Sequence, residues 1–362
     1  MTKPSLLELP TGVQLIYLAE GGANVIYRFV NTADLLPPHL QGKLLRLRKQ
    51  TAADITYKEI ARNFDTIIRP LFKPDELVDQ TLIHLPENLL ARCNERLRAA
   101  ERNGQRPTKR HGTYLCLNEP FGLLITDMTA DKGSTLAELK PKWLNQSPSA
   151  PPTAHRCRTC ALREMKNHAS LLTAKEQRSF CPLDLVSEQY ENVLRATGLI
   201  KGCTDRSRLA HILYRNPTLL RLQSLQKTER EVGFLGPLAQ SREMSLAMTL
   251  RDCTMFVRVS IPAASTLLAR KTDRKKIPHE EGSPVEIRLG DLDLKTGAGG
   301  KAGYWRDLEA QLIEQDWYRG SNCGTDPSDD LFHVQLDSRV LREPLLLLLA
   351  AAEVHGELHV VC

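Results

Sequence analysis

Apolar and polar positions alternate with a period of two along much of the first third of the chain. Apolar, β-branched and aromatic residues form short runs bounded by glycine, proline and asparagine. Such runs are typical of β-strands. Six strands are predicted, at residues 13–18, 25–30, 43–49, 113–117, 122–127 and 136–142. On the third strand, Leu45, Leu47 and Lys49 share one face, and Arg46 and Arg48 share the other.

Apolar residues spaced three and four apart predict helices in the rest of the chain. Helices are expected at residues 57–65, 87–101, 188–197, 206–214, 218–225, 301–316 and 339–352. Strand character returns at 248–259 and 285–294, and a segment rich in Pro and Ser at 145–153 is typical of a linker or loop. The pattern therefore predicts an α+β protein with a sheet-rich lobe at residues 1–150 and a larger mixed lobe at 151–362.

Composition and charge narrow the class of protein only partly. The chain has 362 residues, 41% of them hydrophobic, and a formal net charge of +6 at pH 7. This charge suits nucleic acid, an anionic membrane surface or a small polyanionic substrate. The most apolar run, residues 345–352, is far shorter than the roughly 20 residues that a helix needs to span a bilayer.

Cysteine usage indicates the compartment. Nine irregularly spaced cysteines and no apolar leader argue against secretion, so we expect a location inside the cell, in the nucleus, the cytoplasm or both. The basic stretch at residues 270–276 is favoured as a solvated loop over a nuclear address.

A glycine turn joins the first two predicted strands. It consists of Gly21, Gly22, Ala23 and Asn24. Its small residues would let backbone N–H groups approach phosphate oxygens, although this segment alone favours an ordinary hairpin. On the third strand, Arg46 or Lys49 could place a cation against nucleotide phosphates, and a solvated strand face is the alternative.

Charged residues gather around the predicted strand at 136–142. In an extended segment, Glu138, Lys140 and Lys142 fall on one side, and Pro141 places the strand at an edge or an end of its sheet. Three charges on one face suit a cleft that holds polyphosphates, and we favour this over a face turned to solvent.

Asp252 lies in the strand-like stretch 248–259. Its carboxylate could orient and deprotonate an attacking hydroxyl group. It could equally pair with Arg251 or cap a turn, because a buried carboxylate needs a partner. The segment alone leaves both roles open.

Two carboxylates lie near the end of the predicted strand at 285–294. Asp291 and Asp293 would project together, which suits Mg²⁺, a cation that takes one or two carboxylates plus phosphate oxygens. Lys295 continues the same side, and a glycine-rich stretch with Lys301 and Tyr304 follows. An acidic strand end beside a surface loop is the alternative.

Cys157 and Cys160 form a Cys-x-x-Cys pair, with His155, His168 and Cys181 nearby in the sequence. These residue types could bind zinc tetrahedrally. One pair with loosely spaced partners is a weak signal, so we favour cysteines without metal and keep zinc as the alternative.

Four short sequence motifs follow one another along the chain: ELKPK at 138–142, FCPLDLVS at 180–187, RDCT at 251–254 and GDLDLK at 290–295. In this order and wording the chain resembles the inositol-pentakisphosphate 2-kinase family in its fungal form. The resemblance implies a two-lobed fold distantly similar to protein kinases, with the active site between a nucleotide-binding first lobe and an inositol phosphate-binding, catalytic second lobe.

The resemblance also implies the reaction. ATP, with Mg²⁺, would phosphorylate the 2-hydroxyl group of inositol 1,3,4,5,6-pentakisphosphate and give inositol hexakisphosphate (phytate). We expect a monomer that binds neither nucleic acid nor membranes.

Roles of individual residues follow from the same resemblance, except that Arg110 is proposed from its charge and Asp293 from its spacing to Asp291. The nucleotide would be bound by Gly21, Gly22, Ala23, Asn24, Arg46, the hinge residues Asp127, Met128 and Thr129, and Glu138, Leu139, Lys140 and Asp291. The inositol phosphate would be bound by Arg110, Lys142, Asn216, Asp252, Lys295, Lys301 and Tyr304. Asp252 and Lys140 would be catalytic, and Asp291 and Asp293 would bind Mg²⁺.

This chain departs from the family pattern in three places. The glycine-rich stretch after Lys295, on which the assignment of Lys301 and Tyr304 depends, is longer. The family's substrate lysine near His168 cannot be placed, and Lys166 and Lys175 are the candidates. Plant members carry a zinc site between the equivalents of Asn216 and Asp252, but that stretch has no Cys or His here.

Two other functions are open. A basic nucleic-acid-binding protein would use the stretch 96–110 and a knuckle at Cys157 and Cys160, although aromatic residues for base stacking are scarce near that stretch. A related kinase would act on another inositol phosphate, because the ring position depends on where each cation sits.

Overall fold

The computed structural model describes residues 6–30, 36–51, 55–169, 179–200, 202, 205–228, 242–260, 284–295 and 301–323. The predicted helix at 339–352, which contains the apolar run, lies outside these residues. So do the basic stretch at 270–276, the glycines at 296–300 and Lys175.

The described residues form an α+β protein, as the sequence predicts. The strands are β1 (Leu7–Glu8), β2 (Leu15–Glu20), β3 (Asn24–Phe29), β4 (Lys43–Arg48), β5 (Gln80–His84), β6 (Phe121–Thr126), β7 (Ser134–Leu139), β8 (Thr254–Ser260) and β9 (Val285–Gly290). The α-helices are α1 (Tyr57–Asn63), α2 (Leu89–Arg102), α3 (Arg158–Ala169), α4 (Tyr190–Thr197), α5 (Arg206–Leu213), α6 (Pro217–Thr228), α7 (Arg242–Leu250) and α8 (Lys301–Glu314). Within the described ranges, none of these helices is long and apolar enough to cross a membrane.

The chain divides into two compact units. The first unit comprises the described residues up to Thr66 together with Val78–Asp127, and the second comprises Ile67–Leu77 and the described residues from Met128 onward. The ELKPK motif, which contains Lys140, thus belongs to the second unit. The assignment of nucleotide binding to residues 1–150 and of catalysis to 151–362 stays a prediction.

The first unit contains a six-stranded sheet in the order β1-β5-β6-β4-β3-β2. Its strands pair antiparallel except for β1, which runs parallel to β5. Leu45, Leu47 and Lys49 are all fully buried on one face of the β4 segment, as the alternation predicts. The apolar stripe of α2, from Leu89 to Leu97, joins the same core as Leu45 and Leu47.

The second unit contains a three-stranded antiparallel sheet in the order β7-β8-β9. Leu139 lies opposite Met255, and Thr254 lies opposite Gly290. The end of β7, the beginning of β8 and the end of β9 therefore meet at one edge of this sheet.

Two predicted strands are wrong in part. Within residues 113–117 only Leu115 pairs in the manner of a strand, in an isolated antiparallel bridge with Lys49. The buried side chain of Asn94 bonds both the N–H and the carbonyl group of Leu115. The predicted strand at 248–259 begins only at Thr254, since Met244, Ala247 and Leu250 carry the apolar spacing of α7 and lie buried. Strand β5 and helix α3 were not predicted.

Candidate active site

Three lysines and two aspartates meet at the edge of the second sheet. Lys140 and Lys142 follow β7, Asp252 precedes β8, and Asp291 and Lys295 follow β9. Because the register aligns these three strand ends, residues that are more than 100 positions apart in sequence become neighbours. We call this group the lysine–aspartate cluster.

The cluster is held together by short polar contacts. Lys142 Nζ donates to Asp252 Oδ1 at 2.6 Å, and Lys140 Nζ donates to the Asp252 carbonyl oxygen and to Asp291 Oδ2, both at 2.8 Å. Lys295 Nζ lies 3.3 Å from Asp291 Oδ1 and 3.8 Å from Asp252 Oδ2. Each aspartate is thus shared between lysines, and the cluster as a whole keeps an excess positive charge.

The side chains of the cluster are 27–44% exposed, so a ligand can reach them. Burial by itself would raise the pKa of Asp252, but the hydrogen bond and charge of Lys142, with Lys140 and Lys295, hold it below the usual range. Burial opposes the charge of Lys140, yet Asp291 and Asp252 raise its pKa. Both groups are therefore charged at neutral pH.

Two backbone positions in the cluster adopt the left-handed conformation. Lys142 has φ 58° and Asp291 has φ 55°. This conformation is uncommon for residues other than glycine, and it persists only where the surroundings hold it. The predicted strand at 285–294 is too long, because β9 ends at Gly290, and a joint role of Asp291 and Asp293 stays a prediction.

Gln226 holds the Lys142 segment in place. Its Nε2 atom donates to the carbonyl oxygens of Lys142 at 2.9 Å and Leu250 at 2.8 Å, and its Oε1 atom accepts from the Leu144 N–H at 2.8 Å. Gln226 is buried, so α6 ties the chain after β7 to the end of α7. Sequence reasoning missed this residue, although a glutamine on the buried stripe of Leu219 and Leu222 is a usable signal.

Thr249 on α7 does the same for the segment after β9. Its hydroxyl group accepts from the Lys295 N–H at 2.9 Å and lies 3.4 Å from the Asp293 carbonyl oxygen. Asp252 itself lies in a turn, with its N–H donating to the Thr249 carbonyl oxygen at 3.1 Å. The prediction that Asp252 lies within a strand is therefore wrong.

Glu138 and Leu139 are the first two residues of the ELKPK motif. Leu139 is buried, whereas Glu138 is exposed on β7. Although Glu138 is exposed, the partial loss of water around its carboxyl group raises its pKa. Lys140 opposes this shift, and Asp291 adds to it. Pro141 and Trp143 are buried, and Trp143 lies under the guanidinium groups of Arg158 and Arg251.

In the first unit, the glycine turn is closed by the Gly21 N–H, which donates to the Asn24 carbonyl oxygen at 2.9 Å. Beneath it, the buried Lys49 ammonium group pairs with Glu20 and donates to the Gly21 carbonyl oxygen at 2.9 Å. Arg106 completes the network by pairing with Glu20. The prediction that Lys49 could face nucleotide phosphates is wrong, because a lysine buried on the core face of its strand is neutralised by Glu20.

Gly21, Gly22 and Ala23 are exposed. Neither glycine has a positive φ. Among the described residues, a Cβ atom at Gly21 would meet nothing within 4 Å, and one at Gly22 would meet only Arg110 Nη1 at 3.9 Å. Neither backbone conformation nor internal packing therefore requires glycine at these positions.

Two arginines flank the turn. Arg46 is buried and its guanidinium group lies 2.8 Å from the side-chain amide of Asn24, when that amide directs its oxygen toward it. Arg110 belongs to a short 3-10 helix, Thr108–Arg110. Within the part of the chain that is described, its Nε atom is buried without a hydrogen-bond partner.

The remaining predicted residues lie in several places. The Asp127 N–H donates to the Gly42 carbonyl oxygen, Met128 is buried, and the Thr129 carbonyl oxygen accepts from Arg258 at 3.5 Å. The division between the two units falls between Asp127 and Met128. The hinge role of these residues stays a prediction.

Asn216 acts as the N-cap of α6. Its Oδ1 atom accepts from the N–H groups of Thr218 and Leu219, and its Nδ2 atom donates to Ile212. Lys301 and Tyr304 lie exposed on the first turn of α8. A substrate contact by any of these three residues stays a prediction.

The cysteines at 157, 160 and 181 are brought together, with their sulfur atoms within 4.8 Å of one another. Cys323, which the sequence pattern did not single out, packs against them. Neither histidine belongs to this group of described residues. The His168 ring packs tilted against Trp317, and the backbone N–H of His155 donates to the Tyr318 carbonyl oxygen.

An α+β chain that gathers lysines and aspartates at one accessible sheet edge has the construction of an enzyme that transfers phosphoryl groups, a kinase. The sequence model of the inositol-pentakisphosphate 2-kinase family matches residues 17–207 and 202–311. An inositol-pentakisphosphate 2-kinase from Yarrowia lipolytica is 30% identical over 332 residues, which cover 84% of this chain and 94% of the relative. One from Debaryomyces hansenii is 25% identical over 378 residues, covering 88% and 95%. The chain belongs to the inositol-pentakisphosphate 2-kinase family.

Proposed function

We propose that this protein transfers the γ-phosphoryl group of ATP to the 2-hydroxyl group of inositol 1,3,4,5,6-pentakisphosphate and so makes inositol hexakisphosphate (phytate). The observation that carries the proposal is the lysine–aspartate cluster, because its residues belong to the ELKPK, RDCT and GDLDLK motifs that resemble those of the family. A substrate with five phosphates needs several cations, and every phosphate left unpaired in a closed site costs desolvation free energy.

Asp252 is the group that meets the attacking hydroxyl. Its carboxylate is ionised and held at 2.6 Å by Lys142, so it can accept the hydroxyl hydrogen and orient the oxygen for attack. Lys140 lies next to Asp252 and Asp291 and would face the transferred phosphoryl group, where its charge is most useful in the transition state. Lys142 and Lys295 would bind phosphates of the inositol ring.

In the first unit, the glycine turn would bind nucleotide phosphates. In the second unit, Glu138, Lys140 and Asp291 would bind the nucleotide. Support for the turn comes from Gly21 and Gly22, whose missing side chains leave open the space from which a phosphate would approach. Arg110 lies beside this turn, with Nη1 3.9 Å from the position of a Cβ atom at Gly22, and its proposed ligand is a phosphate of the inositol substrate.

Magnesium fits the exposed carboxylate of Asp291, a hard oxygen ligand beside the phosphate-binding lysines. When bound, Mg²⁺ would neutralise charge on the β- and γ-phosphates. Asp293 would be the second carboxylate, and the chain just after it is held by the Lys295 N–H, which donates to the Thr249 hydroxyl group.

Product analysis tests the proposed function. A panel of inositol phosphates is incubated with ATP and Mg²⁺, and the products are separated by anion exchange. We expect the pentakisphosphate to be converted to hexakisphosphate, with no product from the Asp252→Ala variant. No transfer to any inositol phosphate, or a clear preference for another one, would contradict the proposal.

A kinase acting on another inositol phosphate is the second candidate, and the same panel tests it. Nucleic-acid binding is less well supported, because Arg106 of the basic stretch is buried in ion pairs with Glu20 and Glu101. The proposal includes a monomer inside the cell, in the nucleus, the cytoplasm or both.

A further inference from the structure

Four cysteines from distant parts of the second unit converge in its interior. Cys157 and Cys160 flank the beginning of α3, Cys181 precedes a 3-10 helix, Pro182–Val186, and Cys323 follows α8. The sulfur atoms of the first three lie within 4.8 Å of one another, and all three residues are at most 1% exposed. We propose that these four cysteines bind a structural zinc ion.

The spacing of the sulfur atoms fits tetrahedral coordination. Zinc–sulfur bonds of about 2.3 Å place the sulfurs of a tetrahedral site about 3.8 Å apart. Cys157 Sγ and Cys181 Sγ are 3.6 Å apart. Buried, uncharged thiols gain little from such a close arrangement, whereas thiolates around a cation require it.

Cys323 supplies the fourth ligand. It packs against the other three, and its N–H donates to Cys160 Sγ at 3.4 Å. The preceding residue anchors the same segment, because Asn322 Oδ1 accepts from the Cys157 N–H at 2.7 Å. The chain after α8 is therefore fixed at the right place by contacts that do not depend on a metal.

The surroundings suit the charge of the site. Zinc with four thiolates carries a net charge of −2, and N–H groups directed at sulfur stabilise it. The Cys160 N–H donates to Cys157 Sγ at 3.4 Å, at the N-terminal end of α3. Arg163 donates to the carbonyl oxygens of Ser179 and Phe180, next to Cys181, and so brings a cation to the same region.

Zinc is the metal that this donor set favours. Soft thiolates in a tetrahedral arrangement select zinc or iron, and a closed set of four protein ligands without an open position is typical of a structural zinc site. The ion would join three segments that are up to 166 positions apart, from Cys157 to Cys323. This replaces our interpretation of the sequence as cysteines without metal.

Metal analysis of the full chain tests the proposal. The protein is purified without added metal, its zinc and iron are measured by mass spectrometry, and its thiols are counted after denaturation with a chelator. We expect one zinc per chain and all nine cysteines as thiols. Metal-free protein, stoichiometric iron, or a disulfide between any of the four cysteines would overturn the proposal.

Variants identify the ligands. Cys181→Ser and Cys323→Ser should each lose stoichiometric zinc, whereas Cys116→Ser, a buried cysteine of the first unit, should keep it. Where a variant does not fold, the wild-type chain loaded with Co²⁺ gives the same information, because tetrahedral thiolate coordination produces strong visible absorption. A Cys323→Ser variant that keeps its zinc, or a Co²⁺ spectrum without thiolate bands, would refute the four-cysteine site.

Discussion

At the scale of single residues, the charge on Asp252 decides what this side chain can do. The lysines around it keep its pKa below the usual value, so it is a weak base at neutral pH. A carboxylate of this kind orients a hydroxyl group and receives the proton late in a loose transition state. Because its pKa is depressed, its ion pairs contribute stability above about pH 4 and lose it only as the pH falls further.

Replacing Asp252 by Ala should lower kcat by about 100-fold or more, because positioning and proton transfer are lost together. The KM for ATP should stay near the wild-type value, since the proposed contact is with the inositol hydroxyl. Steady-state kinetics at saturating ATP measures both quantities. A variant that keeps half of the wild-type rate would remove Asp252 from the mechanism.

We expect different lysines of the cluster to bind different substrates, the inositol phosphate or ATP. Lys142→Ala and Lys295→Ala should each raise the KM for the inositol phosphate by about 10- to 150-fold, the loss of one charge-assisted contact. Lys140→Ala is the matched control from the same cluster, and it should affect ATP and kcat instead. Equal effects of Lys140→Ala and Lys142→Ala on both substrates would show that the division of roles is wrong.

At the scale of elements, the glycine turn can be tested without disturbing the fold. Gly22→Ala should leave the melting temperature unchanged, because a Cβ atom there meets only Arg110 Nη1 at 3.9 Å and the backbone φ is negative. The KM for ATP should rise several-fold, because the methyl group takes the place of an approaching phosphate. Gly133→Ala, whose Cβ atom would also make an ordinary contact at 3.6 Å, is the control and should change neither. An unchanged KM would leave the turn an ordinary hairpin.

Local sequence patterns predict most strands and helices, but not the side-chain contacts between them or all of their boundaries. Alternation along β4 predicted even that Lys49 shares a face with Leu45 and Leu47, yet not its neutralisation by Glu20. The sequence predicts strand at the end of α7 because the apolar residues up to Leu250 suit either period. Asp252 was therefore identified as a candidate but placed in the wrong element.

The contacts that hold the site were beyond local patterns, since they join distant segments. Gln226 reaches residue 142, and Cys323 reaches residue 160. No spacing within the sequence encodes such pairs. The packing of α6 and of the chain after α8 brings them about, just as the register of β7, β8 and β9 brings the lysine–aspartate cluster together.

Gln226→Leu tests the joint between α6 and the cluster. It leaves two carbonyl groups and one N–H group without their buried partner, at roughly 1–3 kcal/mol each, so both the melting temperature and kcat should fall. Gln223→Leu, one turn earlier on the same helix, should have a smaller effect, because its Nε2 atom donates only a 3.3 Å bond to Leu144. Thermal unfolding and kinetics below the transition separate stability from activity. Equal effects of the two variants would deny Gln226 a special positioning role.

At the scale of the whole molecule, the excess positive charge can attract a polyanion either diffusely or through the cluster. The chain carries a net charge of +6, but salt screens exposed charges beyond about 10 Å at 0.1 M. A lysine at the far end of β7 should therefore matter little to a ligand at the cluster. Lys132 is exposed in the turn before β7, and the six-residue strand between it and Lys140 is about 20 Å long.

Raising the salt concentration from about 0.05 to about 0.5 M should lower kcat/KM for the pentakisphosphate by about 10-fold or more, with kcat nearly unchanged, because screening weakens the approach of the substrate. Lys142→Gln should flatten this dependence, whereas Lys132→Gln, which removes the same charge at the far end of the strand, should leave it as in the wild type. The slope of log kcat/KM against log salt is the measurement. If both variants flatten it equally, the net charge of the molecule attracts the substrate, and the cluster only binds it after arrival.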